Sequence, residues 1–320
     1  MPSTGPRSAA LASDPGLVAT IAELYYKDGR TQQEIARRLG LSRATIINYL
    51  KQGRDEGIID IQIKGSAYTG SALGRRLAQA FDLTEVYVTR TEFKEDADEA
   101  ETSVARLGAA ALGALLREGD SVGVAWGRTI QRAAEEMPIT RVPGLEVCQI
   151  WGSVQSHELL SSEASTIRFA ERLGATCHTL HVPAILSTEA LAQALRQEPV
   201  VRAQLERLER LDKVIFSVGD TGDGAVVVET GIATQAEIRT ARAAGAKAVL
   251  CGHFLNAEGA HIHPEFSARV MGMRPDQVRS VPTRILVAAH RHDTQALRAA
   301  LQGGLATHLV IDASRASELV

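Results

Sequence analysis

The chain has 320 residues, of which 45% are hydrophobic, 23% charged and only 4% aromatic, and its formal net charge is −3. This composition excludes a disordered, collagenous or coiled-coil protein, and the length suits two domains. The near-neutral charge argues against a protein that binds nucleic acid over its whole surface. Three widely spaced cysteines and the absence of an apolar run of about 18 residues indicate a cytoplasmic protein without a membrane span.

The basic residues are concentrated near the N-terminus, after a tail of about ten residues. From Arg30 to Arg54 the chain carries six basic residues and one acidic residue, so this window has a charge of +5 and the rest of the chain −8. A compact basic block beside an acidic remainder is typical of a DNA-binding head on a regulatory or catalytic body. A solvated helix face is the alternative interpretation of such a charge run.

The residues from Leu17 to Ile63 predict a helix-turn-helix module. Thr31 and Glu34 fit a capping box at the start of its second helix, and Gly40 fits the tight turn that ends it. A third helix is predicted from Ser42 to about residue 56, followed by a strand or wing at 57–63. The spacing of small and apolar residues favours DNA binding over a purely structural hairpin. The matching positions are Ile35, Ala36, Leu39, Gly40, Leu41, Ile46 and Tyr49.

The third helix is expected to enter the major groove, where its exposed side chains meet base edges. Arg43 suits guanine, Asn48 suits adenine, and Ile47 suits a thymine methyl group. Thr45 and the start of the second helix suit phosphates. The residues predicted to contact DNA are Thr31, Gln32, Ser42, Arg43, Thr45, Ile47, Asn48 and Lys51.

A Gly- and Ser-rich stretch at 65–70 is predicted to link the head, residues 1–64, to a body of residues 71–320. In the body, short apolar runs alternate with amphipathic stretches, which predicts an α/β fold with a mostly parallel sheet between two layers of helices. The predicted strands are Glu85–Thr89, Ser121–Ala125, Leu145–Trp151, Thr176–Val182, Lys213–Val218, Ala248–Cys251, Arg284–Ala289 and His308–Ile311. The predicted helices are Ala97–Leu116, Thr129–Met137, Ser162–Leu173, Thr188–Leu195, Thr234–Ala243, Asp293–Leu301 and Ala313–Leu319.

Several segments, in order along the chain, resemble one family. They include "LYYKDGRTQQEIARRLGLSRATIINYLKQGRDEGII", "VGVAWGRTI" and the terminal "ALRAALQGGLATHLVIDASRASELV", and they are similar to SorC/DeoR-type sugar-binding transcriptional regulators. The resemblance implies a tetrameric, cytoplasmic repressor or activator with a winged helix-turn-helix head. It also implies a Rossmann-like body, as in sugar-phosphate isomerases, that binds a sugar or sugar-phosphate effector and needs no other cofactor.

Effector contacts are expected at turns that follow predicted strands, since ligands of open α/β sheets lie outside the carboxyl ends of the strands. In the first such turn, Gly127 would let the backbone approach the ligand, Arg128 would pair with a phosphate, and Thr129 would offer a hydroxyl. The residues predicted to bind the effector are Trp126, Gly127, Arg128, Thr129, Gly152, Ser153, Gly219, Asp220, His290 and Asp293.

Two positions depart from the pattern that the family commonly shows. Ala248-Val249-Leu250 stands where Gly-Asp-Ile is usual, and Asp293 stands where a lysine is usual. The first exchange removes a carboxylate that could hold sugar hydroxyls, and the second would repel an anion. A phosphorylated and an unphosphorylated sugar therefore both remain open as effectors.

A sugar-phosphate isomerase or deaminase with an appended head is the rival hypothesis, and a protein-binding scaffold is a third. An enzyme needs a general acid or base. Asp220, Glu265, His290 and Asp293 are candidates, but no spacing marks a catalytic pair. The histidines that follow Cys251 lack the spacing of known zinc motifs, so no metal is expected.

Overall fold

The computed structural model describes residues 15–55, 58, 68–69, 71–89, 97–154, 162–289 and 291–320. The chain separates into two compact units, residues 1–66 and 67–320. Most of the predicted wing at 57–63 and most of the predicted linker at 65–70 lie outside the described residues. Within that linker, Tyr68 and Thr69 form a short strand of the second unit.

The first unit is a three-helix module, as predicted. Its helices are α1 (Pro15–Ala22), which continues into a π-helical segment (Glu23–Lys27), α2 (Gln32–Leu39) and α3 (Arg43–Asp55). The capping box is present, since Thr31 Oγ1 accepts a hydrogen bond from Glu34 N and Glu34 Oε2 accepts one from Thr31 N at 2.8 Å. Gly40 ends α2 with φ +66°, a conformation that a glycine adopts without strain. The helices share one small core of Val18, Ile21, Ile35, Ala36, Ile46, Tyr49 and Leu50.

The second unit is an α/β fold, as predicted. Its strands are β1 (Tyr68–Thr69), β2 (Glu85–Thr89), β3 (Ser121–Val124), β4 (Glu146–Gln149), β5 (Thr176–His178), β6 (Lys213–Phe216), β7 (Ala248–Leu250), β8 (His253–Leu255), β9 (His261–Ile262), β10 (Thr283–Ala288) and β11 (His308–Asp312). Its helices are α4 (Ala72–Phe81), α5 (Ala97–Leu115), α6 (Arg128–Glu136), α7 (Ser162–Leu173), α8 (Glu189–Gln197), α9 (Pro199–Leu208), α10 (Val226–Glu229), α11 (Gln235–Ala243), α12 (Pro264–Ser267), α13 (Pro275–Ser280), α14 (Thr294–Gln302) and α15 (Ala313–Leu319).

Eight strands form the main sheet in the order β1-β2-β11-β10-β6-β3-β4-β5. All neighbours pair in parallel except β1, which runs antiparallel to β2. From β3 the chain adds β4 and β5 on one side, and from β6 it adds β10 and β11 on the other. Because β3 and β6 are neighbours, their connections leave in opposite directions, and a crevice opens at their carboxyl ends.

Both faces of the main sheet are covered by helices. Successive residues of a strand point to opposite faces, and β6 shows the result, because Val214 and Phe216 join one core cluster while Ile215 joins the other. This double burial explains why central strands such as β6 and β10 are mostly apolar.

The predicted strand at 248–251 is present, but it does not join the parallel sheet. It forms β7 of a separate antiparallel sheet, β7-β8-β9. The cause is the two-residue turn between β7 and β8, in which Cys251 has φ +47° and Gly252 has φ +79°. Two successive residues with positive φ are typical of a tight hairpin, which turns the chain back at once.

The segment after β4 packs closely against the chain at 182–184. Ser153 N donates to Val182 O at 2.7 Å, and Ala184 N donates to Ser153 O at 2.9 Å. A Cβ atom on Gly152 would lie 2.6 Å from Val182 O and 2.7 Å from Pro183 O, which no side chain tolerates without movement of the backbone. Glycine at this position is therefore required by packing.

Replacing Gly152 by alanine should lower the free energy of unfolding by about 1–3 kcal/mol, because the new methyl group overpacks against backbone atoms. The matched control is Gly224→Ala, since a Cβ atom there meets nothing within 4 Å. Urea unfolding of both variants measures the difference. Equal stability of the two would contradict the packing requirement.

His253 on β8 is buried without a hydrogen-bond partner. Its side chain is 1% exposed, and neither ring nitrogen has a partner among the described residues. The ring packs edge-on against the ring of His261, with centroids 5.2 Å apart. Burial, followed by the nearby charges of His261 and Arg274, lowers the pKa of His253 to about 3. The imidazole is therefore neutral in the folded protein.

Acidification should destabilise the protein through His253. The unfolded histidine takes up a proton near pH 6.5, whereas the folded one does so only near pH 3, so stability is lost as the pH falls through this window. Between pH 6.5 and 4.5 the contribution of His253 to the free energy of unfolding falls by about 2 kcal/mol. In urea unfolding at the two pH values, His253→Phe should therefore lose less stability than the parent protein, by about this amount. Phe266→Leu removes buried volume but no titratable group, and should lower stability equally at both. A His253→Phe variant as acid-sensitive as the parent would rule this out.

Candidate functional site

A cavity of about 580 Å³ lies at the crevice between the carboxyl ends of β3 and β6. The turns after β3, β6 and β10 contribute to its wall, together with α5, α10 and the hairpin turn at 251–252. The lining residues are Glu101, Ala125, Trp126, Gly127, Arg128, Thr129, Trp151, Ser217, Val218, Gly219, Asp220, Val226, Val227, Glu229, Thr230, Val249, Cys251, Gly252, Arg291 and His292.

The cavity brings together six of the ten residues predicted to bind an effector. These are Trp126, Gly127, Arg128, Thr129, Gly219 and Asp220. Gly152 and Ser153 lie outside the lining, because the chain at 182–184 packs against them and the Ser153 hydroxyl donates to the Glu163 carboxylate. Asp293 also lies outside it, as the N-cap of α14, where its Oδ1 accepts from Ala296 N at 2.9 Å. His290 lies outside the described residues.

The start of α6 is suited to an anion. Gly127 is its N-cap, with φ +146° and no side chain, so the N-cap residue itself offers no side-chain oxygen to the N–H groups of the first turn. These groups have no partner within the helix, and the helix dipole adds positive potential. Arg128 is the first residue of α6 and also lines the cavity.

Glu101 of α5 is a buried carboxylate in the cavity wall, with a side chain only 1% exposed. Its Oε1 accepts from the Thr129 hydroxyl at 3.2 Å, and its Oε2 lies 3.1 Å from Arg291 Nε and 3.9 Å from a terminal nitrogen of Arg132. Asp98, one turn earlier, binds both guanidinium groups at 2.8 and 3.2 Å. This ionic cluster ties α5, α6 and the turn after β10 together.

Of this cluster the sequence analysis predicted only Thr129, and the most informative residue that it missed is Arg291. The family resemblance directs attention to Asp293, where a lysine is usual, and suggests a repulsion of anions. In the structure Asp293 caps a helix, and Arg291, two residues earlier, brings a positive charge to the cavity. Asp293 therefore adds no negative charge to the lining, which does contain the carboxylates of Glu101, Asp220 and Glu229. Only the fold of the turn shows which of these neighbouring side chains reaches the cavity.

Another part of the lining is apolar. The rings of Trp126 and Trp151 lie 6.1 Å apart between centroids, and both side chains are buried. Val249 and Gly219 pair through backbone hydrogen bonds of 2.8 and 2.9 Å, which place Val249 in the wall where the family commonly has aspartate. A Trp face and valine side chains suit the C–H face of a sugar ring better than its hydroxyl groups.

Two titratable groups of the lining are neutral. Burial raises the pKa of the Cys251 thiol to about 12, and burial also lowers the pKa of His292, whose Nδ1 lies 3.0 Å from both Ala289 N and Ala289 O. Among the described residues, no three His, Cys, Asp or Glu side chains lie close enough to hold a metal ion.

The predicted DNA-contacting residues lie together at the start of α2 and on the outer face of α3. Ser42, Arg43, Ile47, Asn48 and Lys51 are exposed, whereas Thr45 and Gln32 are half-buried. The Ser42 hydroxyl accepts from Thr45 N at 3.0 Å and bonds to the Thr45 hydroxyl at 2.7 Å. Arg43 Nε donates to Gln32 Oε1 at 3.4 Å, which connects the two helices. Thr31 is exposed and holds the capping box.

In the described part of the chain, no helix has both the length and the apolar character needed to cross a membrane.

Two family models match the chain. The model described as "Putative sugar-binding domain" covers residues 66–320, and the model described as "Winged helix-turn-helix DNA-binding" covers residues 19–60.

Curated relatives match over nearly the full length. "Uncharacterized transcriptional regulator YjhU" of Escherichia coli K12 is 31% identical over 317 residues, which cover 98% of this chain and 96% of that protein. The "Deoxyribonucleoside regulator" of Bacillus subtilis is 27% identical, with coverage of 93% and 95%. The crystal structure of the full-length sorbitol operon regulator SorC from Klebsiella pneumoniae superposes with a TM-score of 0.71 at 26% identity, and covers 96% of this chain and 99% of that one.

These matches are to transcriptional regulators rather than enzymes, and none of them supports the isomerase or deaminase alternative. A helix-turn-helix module precedes a sugar-binding domain in the same order as the family models. The chain therefore belongs to the SorC/DeoR-type sugar-binding transcriptional regulators and is a DNA-binding regulator of that family.

Proposed function

We propose that a sugar or sugar phosphate binds in the cavity between β3 and β6 and thereby changes the affinity of the protein for a palindromic operator. The observation that carries this proposal is the position of the cavity at the strand-order reversal, with the glycine-capped start of α6 in its wall. We assign residues 1–64 to DNA binding, 65–70 to a linker and 71–320 to effector binding and assembly. The protein acts in the cytoplasm.

The cavity supports an effector with an anionic end. Arg128 and the start of α6 lie in one wall, and Arg291 and Arg132 belong to the ionic cluster with Asp98 and Glu101. The lining also carries the carboxylates of Glu101, Asp220 and Glu229, so the support for an anionic end comes from Arg128 and the start of α6 rather than from the net charge of the cavity. A phosphorylated sugar would place its phosphate at Arg128 and the start of α6 and its ring against Trp126 and the valines, and an unphosphorylated sugar would use the same apolar wall.

Specific recognition of an operator requires more than one DNA-binding head. A single head with a charge of +5 binds DNA weakly, and specific helix-turn-helix proteins use two heads on a two-fold symmetric site. We therefore propose a homotetramer, in which pairs of heads occupy half-sites. The acidic remainder of the chain repels DNA and confines the contact to the heads. Relatives are named for sorbitol and deoxyribonucleosides, so a carbohydrate-catabolism operon is the proposed target.

Arg43→Ala should weaken binding of the full-length protein to an operator selected from random duplexes by about 5- to 150-fold, because a base contact of α3 is lost. Arg210→Ala, an exposed arginine of the second unit, is the matched control and should bind like the parent protein. Fluorescence anisotropy at about 50 and 200 mM salt should show a loss of affinity of at least tenfold for the parent. A weak salt dependence together with unchanged binding of Arg43→Ala would exclude this mode of DNA binding.

We expect a panel of sugars and sugar phosphates to contain one compound with two effects. It should raise the melting temperature of the protein, and it should change the affinity of the protein for its operator by about 5- to 150-fold. Arg128→Gln should weaken binding of the phosphorylated compound more than binding of its parent sugar, because the guanidinium charge beside α6 is lost. Arg168→Gln, on the exposed face of α7, serves as the control. The effector proposal fails if no compound changes both quantities, and turnover of a compound would support an enzyme instead.

A further inference from the structure

We propose that Ile47 and Ala44 of α3 read the methyl groups of neighbouring thymines in the major groove of each operator half-site. The inference rests on the proposed DNA binding and goes further, because it names the base feature that the head selects. Thymine carries the only methyl group in the major groove of unmodified DNA, so an apolar side chain there distinguishes it from the other bases.

Ile47 is not needed for the core of the first unit. The adjacent Ile46 is fully buried, and Tyr49 and Leu50 are 7% and 3% exposed, so the inner face of α3 is complete. Ile47 is 42% exposed and points away from that core. A large apolar side chain in this position gains stability only when a partner removes it from water.

The surroundings of Ile47 identify DNA as that partner. Ala44 lies one turn before Ile47 on the exposed side, and helical residues three apart are neighbours with Cβ atoms about 5–6 Å apart. Arg43 and Lys51 lie four residues before and after Ile47, so a positive charge stands at each end of the small apolar patch. An apolar centre between cations matches a groove with methyl groups on its floor and phosphates along its edges.

The hydroxyl groups near the start of α3 are already engaged. The Ser42 and Thr45 side chains bond to each other, and Ser42 also caps the helix. Arg43 shares its Nε with Gln32. The exposed centre of α3 is therefore apolar, and the amide of Asn48 lies next to it. The core of the half-site then consists of adjacent thymines beside an adenine that Asn48 reads.

The test deletes single methyl groups from the DNA. An operator is first selected from random duplexes with the full-length protein, and each thymine is then replaced in turn by deoxyuridine, which differs only by the methyl group. Since one buried carbon group contributes about 0.8 kcal/mol, one or two positions in each half-site should lose about 3- to 5-fold in affinity. The remaining positions should change little.

Three variants assign the effect to Ile47. Ile47→Ala should bind the thymine operator more weakly and should no longer distinguish thymine from deoxyuridine, and Ile47→Val should retain part of the difference. Lys51→Ala should weaken binding to both operators equally, because the lost contact is that of a charge beside the apolar patch and does not sense the methyl group. Ile139→Ala, which removes an 80% exposed isoleucine from the second unit, should behave like the parent protein.

Two results would overturn the inference: no deoxyuridine substitution changes affinity by more than about 1.5-fold, or Ile47→Ala keeps the full preference for thymine. Thermal unfolding of Ile47→Ala and Ile47→Val shows whether each variant is folded. A selection that recovers no operator would instead refute the proposed DNA binding, and this inference with it.

Discussion

The pairing of β3 with β6 is the contact on which the candidate site depends. It joins two parts of the chain about ninety residues apart, and it places two turns that leave in opposite directions at one crevice. The close fit needs Gly123 on β3, because a Cβ atom there would lie 2.6 Å from side-chain atoms of both Ile150 and Leu211. A glycine without any ligand contact thus helps to set the shape of the cavity.

The ionic cluster around Glu101 gives this crevice its electrostatic character. A carboxylate that is 1% exposed is costly unless cations compensate it, and here the cations come from α6 and from the turn after β10. An anionic effector at the start of α6 would compete with Glu101 for the same guanidinium groups. Such competition would couple the proposed effector to the packing of α5, α6 and the turn, and would give ligand binding a physical route to conformational change.

Local sequence patterns predicted most helices and strands, because capping, turn formation and burial each leave a recognisable pattern of residues. The capping box at Thr31, the turn at Gly40 and the apolar strands from β2 to β11 follow from nearest-neighbour chemistry and from burial on both faces. The sequence analysis did not predict β8, the hairpin partner of β7. The turn between them depends on the positive φ of Cys251, and a cysteine in the sequence does not indicate a positive φ. The sequence analysis also predicted no helix at α4 or α9, which lie between segments with a clearer apolar pattern.

The sequence by itself determined the order of the two units, the family, the helix-turn-helix geometry and the class of the fold, because these depend on periodicity, capping and motifs that lie close together along the chain. The tertiary structure decided which side chains share the cavity. In the structure Glu101 contacts Arg291, which is 190 residues away in the chain. Asp293 caps a helix, and Gly152 and Ser153 pack against residues 182–184 instead of lining the cavity. The physical reason is that contacts between distant segments follow from strand order and turn conformation, neither of which is encoded by spacing alone.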